Sequence, residues 1–455
     1  LSIKMLIQVA VENFKSIEEE VVFKMIASGL KGHKSHKMET EFSQPAELLK
    51  LGAIYGANAS GKTNLIDAVQ FARDLIVSGT KSGQRIRVSP FKLSKKYRDE
   101  PTSIEFIMYL EEQIYTYGFA VTHEKVVEEW LYGQRPGAKE RKLFERVSND
   151  EHAVVKTGKS LEAEDYTSKL LQMVSRSTRI NQLYLYELKE KNHPGIEKIT
   201  GWFENNLAVI PAVSKYRQLT LRATKDDDFT KFVSRVLKQV GTGIERVESQ
   251  SREIDVERDL TLYPEELREE LSAELNEMDE DQGLFISSEI MQRVYEKQDG
   301  KIVEYRLKTI HKDKEGKEVA FDMEEESDGT LRLMHLIPLL ADVQTEAKVV
   351  FVDELDRRMH PMLSRTLVNL FNEISPGKNK SQLIFTTHDT NLLDQDLLRR
   401  DEVWFMEKNK FGASKLRSLH EYNIRNDKKL DKDYLLGRFG GIPNIRYDVL
   451  EPAHA

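Results

Sequence analysis

Gly56-Ala57-Asn58-Ala59-Ser60-Gly61-Lys62-Thr63 reads G-x-x-x-x-G-K-T, the spacing of a Walker A loop. Such a loop implies capture of a nucleoside triphosphate: the glycines let backbone N–H groups fold around phosphate oxygens, Lys62 reaches the terminal phosphates, and the Thr63 hydroxyl is placed to ligate Mg²⁺. Asn58, Ser60 and the following Asn64 belong to the same candidate binding set. A second group, Val349-Val350-Phe351-Val352-Asp353-Glu354, is four apolar residues ending in two adjacent carboxylates. That is the pattern of a Walker B strand, on which Asp353 would hold Mg²⁺ through water and Glu354 would polarise the attacking water. A third apolar run, Leu383 to Thr387, ends at His388. Alone, an Asp-Glu pair is most often a solvated turn and a single histidine a surface or core residue. Three strand ends carrying this chemistry together make Lys62, Glu354 and His388 the candidate catalytic residues, with Thr63 and Asp353 as the candidate metal ligands.

The elements that must hold these groups are legible around them. Leu51-Gly52-Ala53-Ile54-Tyr55 is a strand leading into the loop, and Leu65, Ile66, Val69, Ala72, Leu75 and Ile76 recur at helical spacing after it, so a helix N-terminus points at the phosphates. The region 1–160 also shows strands around Ile7–Val11 and Val21–Ile26. Three alternating runs follow, Ser103–Tyr109, Gln113–Val121 and Lys125–Tyr132, which read as an antiparallel meander. Region 161–300 reads as a helical insertion, with Lys169–Val174, Ile196–Phe203, Phe229–Val240 and the Leu267-Leu271-Leu275-Met278 series. That series lasts barely two heptads, which argues for a surface helix or short arm over a coiled coil. In 301–455 the core resumes with Lys301–Ile310 and Val319–Met323, a hairpin around Lys314-Glu315-Gly316, and the Asp-Glu and His388 strands with a strand near Val403–Met406 complete an α/β sheet.

With 455 residues the chain is long enough for two or three domains, and without cysteine it has neither disulfides nor thiol catalysis. No apolar run approaches the length a bilayer needs and no signal-like segment opens the chain, so the expectation is a cytoplasmic protein without a membrane partner; Met5 reads as a natural start. The net charge of −8 does not advertise nucleic-acid binding. Two local basic patches, Lys31/His33/Lys34/His36/Lys37 and Arg85/Arg87/Lys92/Lys95/Lys96/Arg98, leave DNA contact open as an expectation.

Between the insertion and the Asp-Glu strand, Ser327-Asp328-Gly329-Thr330 opens an apolar-periodic helix. As local structure it is an N-cap, and the Glu324-Glu325-Glu326 run before it would repel phosphate unless its side chains point away. The order Walker A, Ser-x-Gly helix start, Walker B, strand-terminal histidine resembles that of ABC and SMC-like ATPase heads. With Asn13-Phe14-Lys15-Ser16, Asp353-Glu354-Leu355-Asp356, His360-Pro361 and the ending Tyr434-x-x-Gly437-Arg438-Phe439-Gly440-Gly441-Ile442-Pro443, almost the whole chain resembles an AAA-family ATPase of the ABC/SMC-like, OLD-related group. That group includes the RloA-like proteins and the ATPase components of anti-phage systems such as Septu and PARIS. The resemblance implies an ABC/SMC-like P-loop head that hydrolyses ATP with Mg²⁺ in a homodimer or higher homo-oligomer. In it Ser327 and Gly329 contact the γ-phosphate bound by the opposite subunit, Asp356 communicates between the sites, and Lys15 lies near the nucleotide. It further implies a regulator of a separately encoded effector such as a nuclease, the other reading being a DNA repair or recombination ATPase. The SMC arms and the TOPRIM nuclease of OLD enzymes are not seen in this sequence, which favours dependence on a partner. The glutamine of a Q-loop is unplaced, Gln182 being a candidate.

Overall fold

The computed structural model describes residues 3–148, 153–162, 168–212, 219–262, 265–280, 283–287, 292–374, 380–422 and 430–442. It divides into two compact units, one formed by 1–212, 343–356 and 368–455, the other by 213–342 and 357–367.

The first unit is mixed α/β and carries two sheets. The larger is antiparallel, in the order Ala153–Thr157, Arg141–Ser148, Val126–Gln134, Gln113–Val121, Thr102–Leu110, Lys4–Glu12, Val21–Lys24. It contains the expected meander and extends it at both ends. The second runs Leu207–Ile210, Val349–Val352, Gln382–Thr387, Leu51–Tyr55, Val403–Lys408, Ser414–Ser418, with every neighbouring pair parallel except the last. The three central strands are buried along their whole length, which is why each reads as a continuous apolar run: a parallel strand must hide both faces. Register sets Thr387 beside Tyr55 and Val352 beside Phe385, so the carboxyl ends of all three open at one place. The helix Lys62–Ser78 contributes Leu65, Ile66, Val69, Ala72, Leu75 and Ile76 to one core that also takes in residues of both sheets. Each of the buried Leu, Ile and Val side chains stabilises the fold by about 1.5–3 kcal/mol, so this helix, and the loop at its start, are firmly seated.

The second unit is built on a five-stranded antiparallel sheet in which Lys301–Lys312 pairs with Arg246–Ile254, Gln292–Gln298 and Glu318–Asp322, and Gln292–Gln298 with Gly283–Ser287. Three of its strands fall in the 161–300 segment read as helical. The sequence disguises the first of them because Arg246–Ile254 is rich in charge and serine, with only Val247 and Ile254 buried, a composition that suits an exposed strand but shows no period of two. The expected helices are present as Ser168–Ser177, Glu197–Gly201, Asp227–Gln239 and Glu265–Glu277. Leu271, Leu275 and Met278 pack with Ile254, Leu260, Tyr295 and Ile302 of the same unit, so this is a helix covering its own sheet; the Leu267 side chain lies outside the described residues. The segment 161–212 groups with the first unit, since Leu207–Ile210 pairs with the Val349–Val352 strand. No helix among the described residues is long and apolar enough to cross a membrane.

Candidate nucleotide-binding site

The loop between Tyr55 and Lys62 is shaped by what cannot fit there. A Cβ on Gly56 would overlap the Met406 carbonyl oxygen, and one on Gly61, at φ +109°, would overlap the Ser414 hydroxyl. Ala59 also adopts a left-handed φ of 62°, a conformation costing about 1–2 kcal/mol in a residue with a Cβ and one that curls successive amides into an anion-binding concavity. The N-cap of the following helix is Gly61, which offers no side-chain acceptor, so the first amides face outward as an anion site. Ser60 is buried, and its hydroxyl finds no partner among the described residues.

Lys62 folds back on this loop. Its ammonium donates to the carbonyls of Gly56 at 2.7 Å and Ala57 at 3.1 Å and lies 3.4 Å from Nδ1 of His388. Burial pushes its pKa down to about 8, against the opposing pull of Asp353, Glu354 and Asp356. On the neighbouring strand end, Thr63 Oγ1 donates to Asp353 Oδ2 at 2.9 Å, while Thr386 Oγ1 donates to Asp353 Oδ1 at 2.6 Å and accepts the Glu354 N–H at 2.7 Å. Thr386 thus fixes both carboxylates, Asp353 by its side chain and Glu354 by its backbone, where the chain bends at φ 48°. Nε2 of His388 is 3.9 Å from Glu354 Oε1, and the His388 N–H points at Asp356 Oδ2 at 3.4 Å. The other Asp356 oxygen is buried without a partner among the described residues. The hard oxygen donors Thr63 and Asp353 converge as a Mg²⁺ site sharing its ligands with phosphate requires. No group of three or more His, Asp or Glu side chains that could hold a metal ion occurs among the described residues.

A directed chain of hydrogen bonds ties the far side of the loop down. Asn64 Nδ2 donates to Ser16 Oγ at 2.6 Å, Ser16 and Ser414 hydroxyls meet at 2.7 Å, and Ser414 Oγ donates to the Ser60 carbonyl at 2.7 Å. Because Ser414 spends its proton on that carbonyl, Ser16 is the donor between the two serines. Beside this chain a cleft of about 390 Å³ is lined by Lys15, Ser16, Asn64, Ser89, Lys92 and Lys408, among others; Lys15 pairs with Asp67 at 2.5 Å on its wall. Asn58 is exposed, in the loop itself.

Residues 52–394, three quarters of the 455-residue chain, match the family model described as "AAA domain, putative AbiEii toxin, Type IV TA system". The chain belongs to this AAA-domain family. Its matched span runs from the strand before the phosphate loop to just beyond His388 and so takes in Lys62, Thr63, Asp353, Glu354 and Asp356. Two solved structures of the recombination mediator protein RecF in the RecFOR pathway are similar: the one with ATPrS at 13% identity and TM-score 0.33, covering 91% of this chain and 99% of that one, and the one with ATP at 12% identity and TM-score 0.30, covering 86% and 95%. No curated protein matches the chain.

The remaining candidates of this AAA-domain chain are placed as follows. Ser327 and Gly329 belong to the second unit. Ser327 Oγ accepts the Thr330 N–H at 3.1 Å as an exposed helix cap, and Gly329 lies where a Cβ would come 2.7 Å from the Arg358 carbonyl. The acidic run before them is turned onto its own unit: Glu324 pairs with Arg293 at 3.0 Å, Glu325 accepts the Asp322 N–H at 2.7 Å and Glu326 engages His311 at 2.7 Å. Gln182 is not at the phosphate site. It is buried and accepts the Thr80 N–H at 3.0 Å, beyond the opposite end of the 17-residue helix, about 25 Å away at 1.5 Å per residue. Of the first basic patch, His36 is buried against Glu402 at 2.9 Å with its pKa lowered to about 4 by burial, and Lys37 pairs with Glu47. The second patch stays exposed throughout. Sequence reasoning missed Thr386 and Ser414. Thr386 was marked only by being a polar residue inside a buried strand, and Ser414 by nothing local at all.

Proposed function

We propose that this chain is an ATP-hydrolysing switch that regulates a separately encoded effector in antiviral defence. The observation that carries the ATPase reading is the convergence of Lys62, Thr63, Asp353, Glu354 and His388 at adjoining strand ends, where open α/β sheets bind their ligands. Lys62 would exchange the Gly56 and Ala57 carbonyls for the β- and γ-phosphates, and the loop amides would hold the remaining oxygens. Thr63 and Asp353 would hold Mg²⁺, whose chemistry there is neutralisation of phosphate charge. Glu354 orients and deprotonates water, His388 donates to the γ-phosphate, and the basic cleft beside Asn64 receives the nucleoside half.

The nucleotide then joins two copies. An exposed helix start such as Ser327-Asp328-Gly329 is itself an anion site, suited to the γ-phosphate held by a second subunit, so binding closes a dimer and hydrolysis releases it. Asp356, hydrogen-bonded to the His388 backbone, would carry information between the sites. The defence role rests on the toxin and toxin–antitoxin description of the family. The other reading, an ATPase acting on DNA directly, is favoured by the exposed Arg85–Arg98 basic loop alone, and DNA affinity that survived purification away from any partner would support it.

The test uses Glu354→Gln. Loss of the base should slow hydrolysis by roughly 10²–10⁴ while leaving Asp353 and Mg²⁺ binding intact, so an ATP-dependent assembly should persist in ultracentrifugation. Adding Ser327→Arg should dissolve it. If the double variant assembles with ATP as well as the single one, the two-headed sandwich is wrong and Ser327 is only a cap. Co-purification of a nuclease with the native protein would support the effector role.

A further inference from the structure

The segment Tyr434–Ile442 lies against the phosphate loop. Tyr434 stacks on Phe405 at 5.4 Å and meets Tyr55, the last residue of the loop's strand, edge-on at 5.9 Å. Phe439 also stacks on Phe405, at 5.3 Å, and Tyr422 both contacts its ring at 5.4 Å and donates to its carbonyl at 3.1 Å. The Tyr434 hydroxyl donates to the Gly441 carbonyl at 3.0 Å, bending the segment into a closed turn through Gly437, Gly440 and Gly441 at φ +75°, +71° and +70°. The turn sets Gly441 so close to Gly56 that a Cβ on it would lie 3.4 Å from the Gly56 Cα and 3.5 Å from the Met406 carbonyl oxygen. Gly56 is therefore flanked by the Met406 carbonyl and by Gly441, and its own carbonyl accepts from Lys62 at 2.7 Å.

We propose that this segment is a strap that fixes the start of the phosphate loop, with Tyr434 and Gly441 acting as positioning residues for nucleotide capture. Lys62 donates to the carbonyl of Gly56, the residue whose Cα the strap lies against, so moving Lys62 onto a nucleotide and keeping the loop closed both depend on where Gly56 sits. A loop held in its binding shape loses less freedom when the ligand arrives; a released loop must be ordered at the expense of affinity. The strap lies against Tyr55, Phe405 and Gly56, at the start of the phosphate loop, so its effect falls on binding more than on the chemical step. This rests on the ATPase reading above.

The experiment measures ATP Kd, KM and kcat, with melting temperature, for the full chain and for Gly441→Ala, Tyr434→Phe and Tyr434→Ala. Alanine at φ +70° is strained in the left-handed region, a penalty equivalent to about 5- to 30-fold in an equilibrium constant. Where that strain opens the strap in the free protein, binding must re-form it, so Gly441→Ala should raise Kd and KM by up to that factor with kcat within about twofold of the parent. Tyr434→Phe keeps the ring stack and loses one hydrogen bond, so its effect should be a few-fold, with Tyr434→Ala much larger. Hydrogen exchange at the amides of 437–442 should slow when ATP is added to the parent protein, which a merely structural tail would not show. The proposal is overturned if Gly441→Ala binds ATP as the parent does, or if kcat and melting temperature fall while KM stays put, or if ATP leaves exchange in the strap unchanged. Failure of the parent itself to bind ATP would instead remove the ATPase reading, and the strap with it.

Discussion

Thr386→Val removes one hydroxyl and almost no volume, and it should cost both stability and turnover. That hydroxyl donates to Asp353 Oδ1 at 2.6 Å and accepts the Glu354 N–H at 2.7 Å, and Thr386 and Asp353 are both buried. A hydrogen bond to a charged acceptor contributes about 1.5–3 kcal/mol, and a buried N–H left without its acceptor costs about 1–3 kcal/mol. The two losses share one atom and do not add in full; about 2–4 kcal/mol is the expected total. In stability this is a fall in melting temperature of several degrees, at about 2–4 °C per kcal/mol for domains of 150–250 residues. In activity, Asp353 loses the bond that aims it at the metal position while keeping Thr63, and Glu354 loses the anchor of its bend. Hydrolysis should fall by roughly 10- to 100-fold, since misplacing a catalytic group by about 1 Å costs of that order. Thr386→Ser, which keeps the hydroxyl, should recover most of it. The assays are differential scanning fluorimetry and phosphate release at saturating ATP and Mg²⁺. A valine variant that melted and turned over like the parent would refute the assignment of Thr386 as the support of both carboxylates.

Lys62→Ala should abolish nucleotide binding in a fluorescence titration while leaving the melting temperature near that of the parent, because the charge serves the phosphates and not the fold. Nucleotide affinity should also depend on pH through Lys62, whose pKa is lowered to about 8 by burial. Below that value the ammonium is present before binding and affinity is flat; above it, binding must take up a proton, so Kd should rise by up to about tenfold per pH unit. Lys62→Arg, which keeps its charge throughout this range, should bind without that slope, and a parent titration flat from pH 7 to 9.5 would contradict the shifted lysine.

The phosphate loop and its two partner strands were legible because their information is local. Gly56 to Thr63 is a contiguous pattern, and Val349–Val352 and Leu383–Thr387 are apolar runs with the reactive group at the end. The Ser327 cap was legible for the same reason. What was not legible depended on distant neighbours. Ser414 reaches the loop through Ser60, separated from it by 354 positions, and the Leu207–Ile210 strand gains its place by pairing with Val349–Val352. Gln182 looked available because a polar residue at the edge of a helical region carries no mark of the burial that commits it to Thr80. In the second unit the hairpin of Lys301–Lys312 and Glu318–Asp322 was legible, whereas Arg246–Ile254 was hidden by its charge, since solvent-facing positions of an exposed strand satisfy no hydrophobic period. Pro443 of the terminal motif lies outside the described residues.

The strand order of the parallel sheet has a bearing on how the protein is made. Leu51–Tyr55 sits between Gln382–Thr387 and Val403–Lys408, so the strand bearing the phosphate loop has neither neighbour in the sheet until more than 300 further residues have been synthesised. At about 5–20 residues per second the nascent loop waits roughly 15 to 60 s on the ribosome as an unpaired apolar strand followed by a half-covered helix. Asp353, Glu354 and His388, which face the loop in the finished fold, have not yet been made during that wait. The antiparallel sheet, whose strands from Thr102 to Thr157 are sequential neighbours, closes by short loops and is the part able to form first and shelter that strand during the delay.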